Sequence, residues 1–133
     1  YKSFDGICLT DTFQLGEEGS DENLFSEQFP ANSKRVIAQK KCPITVIIGN
    51  PPYSIGQKSA NDNTQNEFYP TLDNRIITTY RAESEIKSAT SVKALRDSYI
   101  KAFRWASDRL DSKEGGIIGF VTNGKYLNGI SQD

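Results

Sequence analysis

The chain has no histidine and no methionine among its 133 residues, only two cysteines and a single tryptophan. Each gap removes chemistry. Without an imidazole there is no Ser-His-Asp or Cys-His nucleophile pair and no histidine-containing zinc site. Two thiols are too few for a four-thiolate zinc site, so no metal centre is expected. Cys8 and Cys42, 34 positions apart, fit reduced thiols in a cytosolic protein better than a disulfide framework. Long apolar runs are missing too. The longest, Ile44-Thr45-Val46-Ile47-Ile48, falls far short of the ~20 residues that span a bilayer, and no basic-then-apolar leader opens the chain. A cytoplasmic, bacterial-type location is the expectation. With no Met anywhere and a start at Tyr1, the chain reads as an excerpt from a larger polypeptide.

What is present suits a globular domain. Hydrophobic residues make up 36% of the chain, enough to bury a core and to exclude wholesale disorder. The formal net charge is -1 but unevenly spread: residues 1–30 carry seven acids against Lys2, and the rest carries fifteen bases against ten acids. A modestly basic body is compatible with phosphate contacts, although most such charges are simply solvated surface.

Residues 6–10, 44–48 and 117–122 read as strands. The last two are continuously apolar rather than alternating, the pattern of strands buried on both faces of a parallel sheet. Between them, Leu95, Tyr99, Ala102, Phe103, Ala106 and Leu110 mark one stripe at helical period. Thr90 or Ser91 can cap that helix, Gly115-Gly116 follows its end, and Lys93, Arg96, Lys101, Arg104 and Arg109 fall on its other face. Residues 33–41 form a weaker helix candidate. Residues 14–32 read as an exposed acidic loop or short helix, and the Asn-rich stretch 54–74 as a long loop of the kind that is often functional. Strand, helical crossover and strand make an α/β protein with parallel order favoured.

The informative stretch is Val46-Ile47-Ile48-Gly49-Asn50-Pro51-Pro52-Tyr53. Ligands of open α/β sheets sit beyond the carboxyl ends of the strands, which is where Asn50 follows Gly49. Pro51 and Pro52 lack an N–H and have fixed φ, so the turn is stiff and presents carbonyls without competing donors. The Asn50 side-chain oxygen beside the Pro51 carbonyl supplies two acceptors, and Tyr53 a flat face for stacking. Together they suit the exocyclic amino group of a purine or pyrimidine. The same residue types are common in surface turns, but the apolar strand directly before them favours catalysis.

These four residues resemble the catalytic [Asn/Asp/Ser]-Pro-Pro-[Tyr/Phe] motif of S-adenosylmethionine-dependent amino-methyltransferases, above all the DNA adenine-N6 methyltransferases. The resemblance implies that Asn50 and the Pro51 carbonyl accept from the adenine amino group and that Tyr53 stacks on the flipped base. Thr10-Asp11-Thr12-Phe13 is similar to the family's acidic cofactor motif, which would place Asp11, with Phe13 beside it, against the adenine of the methyl donor. Asp11 also reads as a strand-end or helix-capping acid, and Phe13 as a core residue. Residues 99–127 look like the next helix–strand unit. The tract from Asn50 to Tyr80, including Tyr69-Pro70-Thr71-Leu72-Asp73, is similar to the methylase part of single-chain, ATP-dependent Type ISP restriction-modification enzymes, which also carry nuclease and helicase parts. Implied in turn are a partial Rossmann-like methyltransferase sheet, mostly parallel with flanking helices, S-adenosylmethionine as cofactor, and double-stranded DNA and the remainder of a parent polypeptide as partners. The family's glycine-rich cofactor motif precedes these elements and is not in the 133 residues. The chain is therefore expected to be a fragment of the catalytic domain that binds S-adenosylmethionine poorly alone.

Gly56-Gln57-Lys58-Ser59 resembles the end of a phosphate loop, but Gln57 separates Gly from Lys, and the two prolines upstream remove N–H groups that cradle phosphates. ATP binding there is rejected; Lys58 is instead a candidate contact to a DNA phosphate. Two alternatives stay open at this level: a methyltransferase acting on protein glutamine or RNA, and a non-catalytic DNA-binding module of the same fold.

Overall fold

A computed structural model of the chain describes residues 4, 6–17, 28–52, 68–83, 95 and 97–122. In order, these form a 3-10 turn (Gln14–Gly16), helix α1 (Pro30–Lys41), strand β1 (Val46–Gly49), helix α2 (Pro70–Ile76) running into a π-helical turn (Ile77–Arg81), helix α3 (Ser98–Arg109) and strand β2 (Ile117–Phe120). The strands pair in parallel, from Val46 opposite Ile117 to Gly49 opposite Phe120. A small parallel sheet with three helices is the α/β architecture that the apolar strands and the helical stripe predict, and it is consistent with the partial Rossmann-like fold that the resemblance implies.

Backbone economy at the start of β2 fixes its register. Gly115 turns the chain at φ +69, where a side chain would be strained. At Gly116 a Cβ would lie 2.3 Å from the Thr45 carbonyl oxygen. That closeness lets the Ile117 N–H donate to the same carbonyl at 2.8 Å. Just upstream, the Asp111 N–H donates to the Ile44 carbonyl at 2.8 Å. The Asp111 carboxylate accepts from the Glu114 and Lys113 N–H groups, which holds its pKa below the ordinary aspartate value.

The core lies between α2 and α3, built from Tyr69, Leu72, Ile76, Leu95, Tyr99 and Ile100. The stripe on α3 packs as its spacing requires: Tyr99, Ala102 and Ala106 are buried. The Phe103 ring meets Phe120 edge-on at 5.2 Å and ties the helix to the sheet. Arg109, in the last turn of α3, donates to the carbonyls of Gln39 and Cys42 and so satisfies the end of α1.

Several expectations are corrected. The helix begins at Ser98 rather than near residue 91: Asp97 is its cap, its side chain accepting from the Tyr99 N–H at 3.4 Å, while Thr90 and Ser91 lie outside the described residues. Lys101 is not on a solvated face. It is 7% exposed, with its ammonium 2.9 Å from Asp73 and 5.0 Å from the centre of the Tyr69 ring. Residues 70–74 are helical rather than loop, because Pro70 has its φ preset for a first turn and two carboxylates cap that turn. α1 likewise starts at a proline with its φ preset, Pro30, three residues before the predicted bound. The segment 6–10 is not a strand. Its backbone is satisfied by side chains of α1: Asn32 accepts from the Leu9 N–H (2.7 Å) and donates to the Leu9 carbonyl (2.8 Å), and Arg35 donates to the Ile7 carbonyl. Finally, among the described residues the strands are covered on one face only. The α3 side takes Ile47, Ile118 and Phe120, while Val46, Ile48 and Ile117 are 56%, 82% and 68% exposed. Side chains alternate across a strand, and among the described residues no element covers the second face.

Candidate functional site

Asn50, Pro51 and Pro52 leave the carboxyl end of β1. The Gly49 carbonyl accepts from the Val121 N–H at 3.0 Å, so the ladder holds the chain up to the residue before Asn50. Pro51 is buried, whereas Asn50 and Pro52 are exposed. The Asn50 amide makes no hydrogen bond to the described residues and faces water as an open donor and acceptor. A stiff turn with a buried first proline and a free amide can receive a ligand amino group without first breaking an internal bond. Tyr53 and Lys58 lie outside the described residues.

Asp11 is held far more firmly. One carboxylate oxygen accepts from the Phe13 N–H at 2.9 Å and, weakly, from the Gln14 N–H at 3.5 Å, an Asx turn that starts the 3-10 turn. The other accepts from the Tyr69 hydroxyl at 2.7 Å. Phe13 is half-buried, and its ring meets Tyr69 edge-on at 5.3 Å. The structure thus joins Asp11 and Phe13 in one cluster organised by Tyr69, a residue that the sequence offered only as part of a longer similarity. No local sequence pattern points to Glu17. It is 7% exposed, and its carboxylate accepts from the Thr71 and Leu72 N–H groups at 2.7 and 3.0 Å, capping α2 from another part of the chain. Asp73 closes the same turn by accepting from the Tyr69 N–H at 3.1 Å.

Away from these residues, Asp108 binds two guanidiniums. Arg75 on α2 and Arg104 on α3 each donate through Nε and Nη2, with shortest distances of 2.7 and 2.6 Å. Burial raises the Asp108 pKa, but the hydrogen bonds from Arg75 and Arg104 and their charges outweigh it, and the net shift is downward. The cluster is a clamp between α2 and α3. A cleft of about 350 Å³ opens between Thr10, Thr12, Val46, Ile48, Trp105 and Arg109, and the Trp105 indole N–H is buried without an acceptor. Among the described residues no three His, Cys, Asp or Glu gather as a metal site, and no helix is long and apolar enough to cross a membrane.

No protein-family model and no curated protein matches the chain. Solved structures do. A nuclease-deletion mutant of the Type ISP restriction-modification enzyme LlaGI, in complex with a DNA substrate mimic, is 45% identical over 99% of this chain, with a TM-score of 0.82. The ATP-dependent Type ISP restriction-modification enzyme LlaBIII bound to DNA is 39% identical over 99% of the chain, also at 0.82. A DrdV–DNA complex is 36% identical over 98%, at 0.77. The chain spans only 10%, 8% and 12% of those three proteins, so it is similar to one segment of each.

Proposed function

We propose that the chain is part of a restriction-modification enzyme and carries the catalytic stretch of its DNA adenine-N6 methyltransferase. The observation that supports this best is Asn50-Pro51-Pro52, standing with a free amide at the carboxyl end of a parallel strand. The surrounding sequence is 45% identical to a segment of a Type ISP enzyme. Duplex DNA and the remainder of a longer polypeptide are the partners this function requires, and the cytoplasm is its place.

S-adenosylmethionine, when bound, supplies an electrophilic methyl group. The residues present fit its adenosine end. Asp11 is an exposed carboxylate fixed in orientation, and its roughly four lone-pair sites exceed the three donors it meets, so acceptor capacity remains for an adenine amino group. Phe13 flanks it. At the target, the Asn50 side-chain oxygen and the Pro51 carbonyl accept the two amino hydrogens of a flipped adenine, and Tyr53 stacks on its ring. The base leaves the duplex at a cost of a few kcal/mol, which the pocket offsets. Asn50 and Pro51 draw the nitrogen lone pair out of conjugation and hold it in line, so rate comes from orientation and placed acceptors rather than from a covalent enzyme intermediate.

The test is methylation of plasmid DNA by the full-length enzyme, followed by single-molecule mapping of modified bases. N6-methyladenine at one short sequence is the expected product. Methylation of protein or RNA only, or none with cofactor bound, would overturn the assignment.

A further inference from the structure

We infer that Tyr69 is a positioning residue for the cofactor acid: its phenol fixes the Asp11 carboxylate in the orientation that receives the adenosine end of S-adenosylmethionine. The inference rests on the methyltransferase function proposed above. Four observations carry it. The Tyr69 hydroxyl donates to one Asp11 oxygen at 2.7 Å while the Asx turn holds the other, so the carboxylate cannot pivot about Cβ–Cγ. Tyr69 is itself immobilised: it is 3% exposed, its ring lies edge-on to Phe13, and the Lys101 ammonium sits 5.0 Å from its centre, anchored by Asp73 at 2.9 Å. Its backbone opens α2, whose first turn is capped by Glu17. Segment 11–17 is therefore stapled to the start of α2 at two points, Asp11 on Tyr69 and Glu17 on Thr71 and Leu72.

The two staples differ in kind. Glu17 is buried and caps a helix, a structural task complete in itself. Asp11 is exposed, and its turn is already satisfied through the first oxygen. What the phenol adds is orientation of the remaining acceptor sites. A carboxylate fixed before binding does not lose rotational freedom when the ligand arrives, so the gain appears as affinity.

Calorimetric titration of the full-length enzyme with S-adenosylmethionine tests this, using Tyr69→Phe, Asp11→Asn, the double variant and Glu17→Gln. Tyr69→Phe keeps the ring and its packing and removes only the hydroxyl. It should raise Kd roughly five- to tenfold, the size of one ordinary net hydrogen bond. Asp11→Asn should raise Kd at least as much, and the double variant should match Asp11→Asn, because Tyr69 acts through Asp11. Glu17→Gln should lower Tm while leaving Kd within about twofold, since it breaks the purely structural staple. A normal Kd for Tyr69→Phe beside a raised Kd for Asp11→Asn overturns the positioning role alone. Additive effects in the double variant, or an equal rise in Kd from Glu17→Gln, overturn it as well. A normal Kd for Asp11→Asn removes the cofactor role of Asp11 itself, and the inference with it.

Discussion

Asp11 and Asn50, the two side chains that the proposed chemistry depends on, are held in opposite ways. Asp11 is locked by two backbone N–H groups and a buried phenol, whereas Asn50 is exposed and makes no hydrogen bond to the described residues. The difference follows from what each must meet. A site for a small cofactor gains affinity from a fixed acceptor. A site for a base that swings in from a duplex can leave its acceptor to water until the base arrives, because a solvated amide carries no penalty. It follows that changes on the two sides should separate into different observables.

The largest effect is expected at Asn50. In the full-length enzyme Asn50→Ala should lower methylation kcat by about a hundredfold or more, the scale of losing one placed transition-state contact. Cofactor Kd and Tm should stay close to wild type, since nothing in the fold leans on that amide. A large drop in Tm would break the comparison by showing that Asn50 is structural. Asp11→Ala should give the reverse profile. It removes the carboxylate to which the buried Tyr69 hydroxyl donates, a loss of about 1–3 kcal/mol. Melting should therefore fall by several degrees alongside weaker cofactor binding. An Asp11→Ala protein with wild-type Tm would mean that the phenol finds another partner and that the lock is weaker than the distances suggest.

The two sides also differ in how far the sequence reveals them. Asn50 stands in a contiguous motif behind an apolar strand, and the stripe from Tyr99 to Ala106 repeats at helical period, so local pattern is enough for both. The lock on Asp11 is a pairing 58 positions apart and the cap on α2 one of 54 and 55, and no local pattern encodes partners at such separations. Lys101 misleads for the same reason: its spacing puts it among surface cations, whereas Asp73 and the Tyr69 ring, from other parts of the chain, make its burial tolerable. Residues 6–10 have strand composition, but strandness needs a ladder, and Asn32 and Arg35 take the backbone groups instead. The double-sided apolarity of β1 and β2 predicts burial on both faces, yet the described residues cover only one.

A smaller, pH-dependent effect should fall on the Asp11 side alone. Tyr69 keeps its place because α2 is clamped to α3, and Asp108 is the anion of that clamp. Its pKa is depressed in the folded state, so its contribution is present above the unfolded aspartate value, about 3.9, and is lost as pH falls through the lower folded value. With side chains this accessible the contribution is about 1 kcal/mol or less. Thermal melts of wild type should therefore decline below about pH 4, and Asp108→Asn should start lower at neutral pH and decline less steeply. Parallel curves for the two proteins would remove the clamp from the account.

The smallest effect is expected beneath Asn50. Ile48 is two residues upstream and 82% exposed, while its neighbour Ile47 is half-buried on the other face of β1. If the free amide of Asn50 stands on a strand held by its ladder and by α3, Ile48→Thr in the 133-residue chain should change stability by less than about 0.5 kcal/mol. Ile47→Thr puts a hydroxyl against the α3 side and should cost about 1 kcal/mol or more. Thr keeps the branched Cβ that strands favour, so strand propensity is nearly constant in both changes and burial is what differs. A loss at Ile48 as large as at Ile47, in melts of the two variants side by side, would mean that the second face is covered in solution. Asn50 would then stand on a strand packed from both sides, and its contrast with Asp11 would narrow to the hydrogen bonds alone.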